Sequence, residues 1–210
     1  MTIADQIQAI RAELPQGVTL VCVSKYQSEE AIMEAYNAGE RDFGESRVQE
    51  LCKKHADLPK DIRWHMIGHL QTNKVKYIVP FIHLIQSVDS WRLLEAIDKE
   101  AGKIGRRVDV LLEVHVAQEQ TKSGMTIAEL QDILPRLGEL EHVDVQGLMT
   151  MATNTEDEQE IRRCFRQLST INCQLSTLSM GMSDDYPIAI EEGSTMVRIG
   201  SKIFGERLNV

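Results

Sequence analysis

Met196-Val197-Arg198-Ile199-Gly200-Ser201-Lys202-Ile203-Phe204-Gly205 is a short β-branched apolar run, then a glycine, then the opening of a helix. The same order recurs back along the chain. Apolar runs at 19–23, 42–44, 63–67, 82–85, 108–116, 143–149 and 178–180 precede 196–199, giving eight expected strands. Amphipathic stretches near 28–38, 46–56, 72–79, 90–104, 126–140, 156–175 and 184–192 lie between them as expected helices, with Ser90 and Thr126 in capping positions. Ile3, Ile7, Ile10 and Leu14 have helical spacing, and Pro15-Gln16-Gly17 stops that extra N-terminal helix before the first strand. Strands alternating with helices mean parallel pairing, either closed as a (β/α)8 TIM barrel or open as a doubly wound sheet. A length of 210 residues is short for a barrel and allows only short loops, so a single domain over 1–210 is expected.

Composition narrows the partners. Hydrophobic residues make up 42% and charged residues 26%, and no apolar run reaches the 18 residues of a membrane span, which reads as a soluble chain. The N-terminus lacks the basic and apolar regions of a secretory signal, so a cytoplasmic location is expected. A net charge of −9 argues against a nucleic-acid or anionic-membrane surface. Lys53-Lys54, Lys74 with Lys76, and Arg106-Arg107 are too scattered for one and read as solvated helix or loop ends. Cys22, Cys52, Cys164 and Cys173 form no CxxC pair and read as reduced structural thiols, with no metal site.

In a parallel barrel, reactive groups belong just past the C-terminal ends of the strands. Lys25 follows Val21-Cys22-Val23-Ser24 at such an end. Partial burial there frees an amine to attack an aldehyde, whereas a lysine reaching solvent past the strand is the plain alternative. The loop after the seventh strand, Ser179-Met180-Gly181-Met182-Ser183-Asp184, and Gly200-Ser201 after the eighth offer hydroxyls, glycines and helix starts. These loops are the usual phosphate position in a barrel, and two ordinary turns are the alternative.

The segments Val23-Ser24-Lys25, Phe43-Gly44-Glu45, Trp64-His65-Met66-Ile67-Gly68-His69-Leu70-Gln71-Thr72-Asn73-Lys74, Ser87-Val88-Asp89, Lys122-Ser123-Gly124, Gly147-Leu148-Met149, Ser179-Met180-Gly181-Met182-Ser183 and Val197-Arg198-Ile199-Gly200 together resemble the pyridoxal phosphate homeostasis protein family. That family is similar in fold to the N-terminal domain of alanine racemase, and the resemblance covers nearly the whole chain. It implies a (β/α)8 barrel that binds pyridoxal 5′-phosphate as an internal aldimine on Lys25. It also implies Arg198 facing the pyridine nitrogen, with Gly200, Ser201 and Ser179 or Ser183 around the phosphate. Two positions depart from the family pattern. Many relatives have Asn where this chain has Ser46, a shorter donor for the cofactor, and an Asn often stands at the position of His115, which either meets the ring or caps a strand end.

The resemblance implies a cofactor-handling protein rather than an enzyme, a monomer exchanging pyridoxal phosphate with dependent apoenzymes. The alternative is an amino-acid racemase. That chemistry needs an acid/base on each face of the substrate, and the related enzymes bring a tyrosine from a second domain, whereas Leu208-Asn209-Val210 are all that follow Arg207 here. Tyr26, Tyr36, Tyr77 and Tyr186 are the tyrosines to weigh. A phosphosugar enzyme using Lys25 would need the same loops but leaves the family segments unexplained. His65 and His69 have helical metal-ligand spacing but sit on a strand and past its glycine break, which argues against a metal. In the family reading His65, Asn73 and Lys74 lie near the open side of the pocket or serve structure. Met149, Met151, Met180 and Met182 are expected to pack at the barrel mouth.

Overall fold

A computed structural model describes residues 1–119, 123–171 and 175–205. Eight strands close into a parallel barrel in sequence order: β1 (Thr19–Val23), β2 (Asp42–Glu45), β3 (Arg63–Met66), β4 (Leu84–Val88), β5 (Val108–Glu113), β6 (Val143–Met149), β7 (Thr177–Ser179) and β8 (Met196–Ile199). β8 pairs with β1 from Thr19↔Met196 to Cys22↔Ile199, which seals the ring. The open doubly wound alternative is thereby eliminated.

The helices are α1 (Ile3–Glu13), α2 (Glu29–Asn37), α3 (Val48–Asp57), α4 (Val75–Ile78), α5 (Trp91–Gly102), α6 (Ile127–Ile133), α7 (Glu158–Ile171), α8 (Tyr186–Glu191) and α9 (Ser201–Phe204). Single 3-10 segments at Thr72–Lys74 and Leu134–Glu139 complete the stretches read as continuous helices. α1 opens on a Thr2/Asp5 capping box and buries Ile7 and Ile10. Thr126 and Glu129 form the expected box on α6. Ser90 does not cap α5, because its hydroxyl donates to Asp89 at 3.1 Å instead.

Strand residues alternate between two cores, as a closed parallel sheet requires. Leu20 and Cys22 join the outer core under the helices, while Val21 faces inward with Leu84, Leu111, Met149 and Met196. Met149 therefore fills the barrel interior and Met180 the outer core, away from the mouth where both were expected. β4 starts two residues later than its apolar pattern suggests, because the Ile82 N–H still donates to Ile78 in the turn ending α4. Two basic residues read as solvated are not. Lys54 is 6% exposed, and the Arg106 guanidinium donates to the carbonyls of Val79 and Ile82. Cys22, Cys52 and Cys164 are free thiols, whereas Cys173, Lys122 and residues 206–210 lie outside the described residues. No described helix is long and apolar enough to cross a membrane.

Gly147 marks the tightest approach among the described glycines. A Cβ there would lie 1.9 Å from the Thr177 carbonyl oxygen on β7, its ladder partner. Gly147→Ala is expected to cost about 1–3 kcal/mol through forced separation of β6 and β7. An unchanged urea midpoint in that variant would exclude the clash.

Candidate functional site

The chain leaves β1 through a tight turn in which the Gln27 N–H donates to the Ser24 carbonyl at 3.0 Å. Lys25 and Tyr26 are its central residues. Tyr26 has φ 65°, at a turn position that usually takes Gly or Asn, so the backbone beside Lys25 carries strain. Buried groups beneath hold the turn. Lys54 Nζ donates to the Ser24 carbonyl at 2.8 Å and to Glu45 Oε1 at 2.7 Å, and the Ser24 hydroxyl donates to the same oxygen at 2.6 Å. Glu50 Oε2 receives the Tyr26 N–H at 3.4 Å. Burial pushes the Glu45 carboxyl upward, and Lys54 works against that shift.

Lys25 opens onto a cavity of about 240 Å³ at the C-terminal ends of the strands. Its walls include Val23, Ser46, Ile67, Met151, Met182, Ser183, Arg198, Gly200 and Ser201. Lys25, Ser46, Ser183, Arg198, Gly200 and Ser201 are thus brought together, from strand ends as far apart in sequence as β1 and β8. Such a volume lies below the ~300–1,000 Å³ of drug-sized sites and suits a small single-ring ligand.

Across the cavity, the Ser183 hydroxyl lies 3.3 Å from the Gly200 N–H and 3.4 Å from the Lys202 N–H. Asp185 shapes this loop by accepting the Met182 N–H at 2.6 Å. Gly181, at φ 92°, lets the loop pass Tyr186, whose Cα a Cβ would meet at 2.8 Å. A Cβ on Gly200 would already touch the Val23 side chain at 3.3 Å, so the backbone approaches the cavity without a side chain in the way. α9 is a single turn, so the anion-binding capacity comes from N–H groups and hydroxyls rather than a long helix dipole. Gly68 is tied to Ser46 in the same manner, since a Cβ there would come within 2.5 Å of the Ser46 carbonyl oxygen.

Arg198 is 4% exposed, and its guanidinium is fixed from below. Nη1 donates to the carbonyl and hydroxyl oxygens of Ser179 at 2.8 and 2.6 Å, and Nη2 donates to the Thr150 carbonyl at 2.8 Å. Desolvation brings it down to about 10, which leaves it charged at neutral pH. Ser179 is the candidate that the structure moves away from the cavity. Its hydroxyl is fully buried between Arg198 and Gln86, so of the two serines proposed for an anion, Ser183 is the one that lines the cavity.

His115 does not line the cavity. Its N–H donates to the Met125 carbonyl at 2.9 Å, and its ring Nδ1 is buried without a hydrogen bond. His65 is 1% exposed inside the barrel, not at an open side, because Arg63 to Met66 is a strand that turns it inward. Asp42, His65 and His83 are the described residues whose donor atoms come close enough to share a metal ion, all within 4.8 Å. Arg63 already takes both Asp42 oxygens, at 2.7 and 2.6 Å, and puts a cation there. Despite burial, the Arg63 and His65 hydrogen bonds hold the Asp42 carboxyl well below the usual range.

Three groups escaped the sequence reading. Lys54 looked like surface, Gln86 lies mid-strand, and Glu113 ends β5 as Lys25 follows β1. The strand-end rule applied to Glu113 would have found it. It is 3% exposed, and burial raises its carboxyl to about 7 despite the charge of Arg198.

Residues 1–208 match the family profile described as alanine racemase, N-terminal domain. The chain is 44% identical over 197 residues to the pyridoxal phosphate homeostasis protein of Aquifex aeolicus, covering 90% of this chain and 86% of that one. It is 41% identical over 209 residues to the protein of that name from Synechocystis, covering 95% and 96%. The PipY structure from Synechococcus elongatus, described with PLP bound, superposes with a TM-score of 0.91 at 40% identity, over 97% of this chain and all of that one. An alanine racemase of Clostridium difficile superposes at 0.80 with 14% identity, over 99% of this chain and 57% of the enzyme. At that identity the likeness is one of fold.

Proposed function

Because this chain belongs to the pyridoxal phosphate homeostasis protein family, built on the alanine racemase N-terminal domain, we propose that it binds pyridoxal 5′-phosphate through Lys25 and holds it for exchange. The observation that carries this reading is one small cavity lined by Lys25, Arg198, Ser183, Gly200 and Ser201. The donor set fits the cofactor: a primary amine for its aldehyde, the hydroxyls of Ser183 and Ser201 beside the Gly200 and Lys202 N–H groups for its phosphate, and a buried guanidinium for its ring nitrogen. Bound there, the cofactor supplies an electrophilic aldehyde and an electron-withdrawing ring. Arg198 can only donate, and its permanent charge disfavours a proton on the ring nitrogen, which weakens the ring as an electron sink. Ser46 offers a hydroxyl to the same cavity.

A carrier rather than a racemase also accords with the tyrosines. None is among the described lining residues. Tyr36 donates its hydroxyl to Asp61, Tyr186 is bound to Glu13, and Tyr26 and Tyr77 are half exposed. Among the described residues, large exposed apolar side chains are few, which supports a monomer, acting as one barrel domain that passes the cofactor to dependent apoenzymes in the cytoplasm. Met182, exposed at the cavity, would lie on the exchange path.

Incubation with pyridoxal phosphate, borohydride reduction and peptide mass mapping test the assignment. The expected result is a stable adduct on Lys25 that disappears in Lys25→Ala. An adduct confined to other lysines overturns it. Racemisation of alanine above the background of the free cofactor would overturn the carrier reading.

A further inference from the structure

A continuous line of hydrogen bonds runs through the barrel interior from Arg198 to Asp42. Ser179 Oγ lies 2.6 Å from Arg198 Nη1 and 2.6 Å from Gln86 Oε1. Gln86 Nε2 lies 2.9 Å from His65 Nδ1, and His65 Nε2 lies 3.1 Å from Asp42 Oδ1, whose carboxylate is clamped by Arg63. Ser179 and Gln86 are fully buried, and the other members are buried too.

With the Gln86 amide oriented as it stands, Oε1 toward Ser179 and Nε2 toward His65, the protons along the line follow in order. A guanidinium only donates, so the Ser179 oxygen accepts from Arg198 and its single hydrogen goes to Gln86 Oε1. That orients the Gln86 amide with its N–H toward His65 Nδ1, which must present a lone pair. The imidazole is then neutral, with its hydrogen on Nε2 pointing to the Asp42 carboxylate. Reversing one bond would leave a buried donor facing a donor, which costs more than the bond itself is worth.

We propose that Gln86 and His65 are positioning residues that set the orientation of Arg198, and through it the protonation state of the ring nitrogen of the bound cofactor. The inference rests on the binding reading above. Neither residue lines the cavity, so neither reaches the ligand directly. Their role is to keep the Ser179 hydrogen turned toward Gln86, so that the hydroxyl oxygen accepts from Arg198 Nη1. With Gln86 replaced by Leu, the Ser179 hydrogen has lost its acceptor, and turning of that hydroxyl weakens the shortest of the three bonds on the guanidinium, leaving the carbonyls of Ser179 and Thr150 to hold it.

The test uses the full chain with ¹⁵N-labelled histidine and, separately, pyridoxal phosphate labelled with ¹⁵N in its ring. In the wild type without ligand, His65 is expected as the Nε2–H tautomer at pH 7. A His65 with its hydrogen on Nδ1 overturns the proposal without any variant. In Gln86→Glu the carboxylate accepts from both neighbours, and His65 is expected to carry both hydrogens. A neutral His65 there overturns the direction assigned to the network. In Gln86→Leu the ring ¹⁵N resonance of bound cofactor is expected to move toward the protonated position, with about tenfold weaker binding, a change that corresponds to about 1.4 kcal/mol. Uptake with an unchanged ring resonance overturns the proposal alone. Absence of uptake by the wild type overturns the binding reading and this inference with it.

Discussion

Lys54→Met is expected to lower folding stability by about 3–5 kcal/mol, the range for removing one partner of a buried ion pair. Glu45 is fully buried, and its Oε2 has no hydrogen bond even in the intact protein. Without Lys54, its carboxylate keeps only the Ser24 hydroxyl. The group would take up a proton, in the direction burial already pushes it, so the loss should be larger at pH 8 than at pH 5. Pairing Lys54→Met with Glu45→Leu should restore most of the stability, since two apolar side chains of similar volume need no partner. The turn at Lys25 would remain loosened in the double variant, because the Ser24 carbonyl has still lost the ammonium that held it at 2.8 Å. Urea unfolding of the three variants separates these effects. A single variant within ~0.5 kcal/mol of the wild type, the usual range for a surface change, would show that Lys54 is not structural.

Glu113→Gln is expected to stabilise the ligand-free protein at alkaline pH by about 3.5 kcal/mol and to do almost nothing near pH 4.5. The sign follows from the direction of the shift. The folded-state carboxyl is raised from 4.5 to about 7, so the native state favours the protonated form. That contribution is fully present below about 4.5 and is lost as pH rises through 7. Each unit of separation is worth about 1.4 kcal/mol, which gives the quoted total. Glutamine copies the neutral form and cannot ionise, so the pH-dependent loss vanishes. Asp42 runs the opposite way: its depressed carboxyl contributes stability above the ordinary carboxylate range and withdraws it as pH falls. Unfolding midpoints between pH 5 and 8 check the point. Parallel curves for wild type and Glu113→Gln would mean that Glu113 is solvated.

The alternation of apolar strands with amphipathic helices was readable along the chain, because burial on both faces of a parallel sheet leaves apolar runs in most strands. Strand-end logic pointed to Lys25 and to the loops carrying Ser183, Gly200 and Ser201, since backbone chemistry at those positions is local. Closure was not local. Whether eight strands form a ring depends on β8 finding β1, a pairing between residues 19–22 and 196–199.

The largest misreadings were polar residues whose burial depends on what lies across from them. Lys54 has a lysine before it on an amphipathic helix, and only the packing of α3 over β2 puts it against Glu45 and the Ser24 carbonyl. Ser179 and Ser183 are chemically identical in sequence and four residues apart. Inside the barrel one is taken by Arg198 and Gln86, and the other stays at the cavity. The sequence by itself determined the order of elements and the amine at the first strand end, because periodicity and strand termini are properties of neighbouring residues. Only the tertiary structure decided which polar groups face the cavity and which hold one another beneath it, because a hydrogen-bond partner 23 to 110 residues away leaves no mark on local pattern.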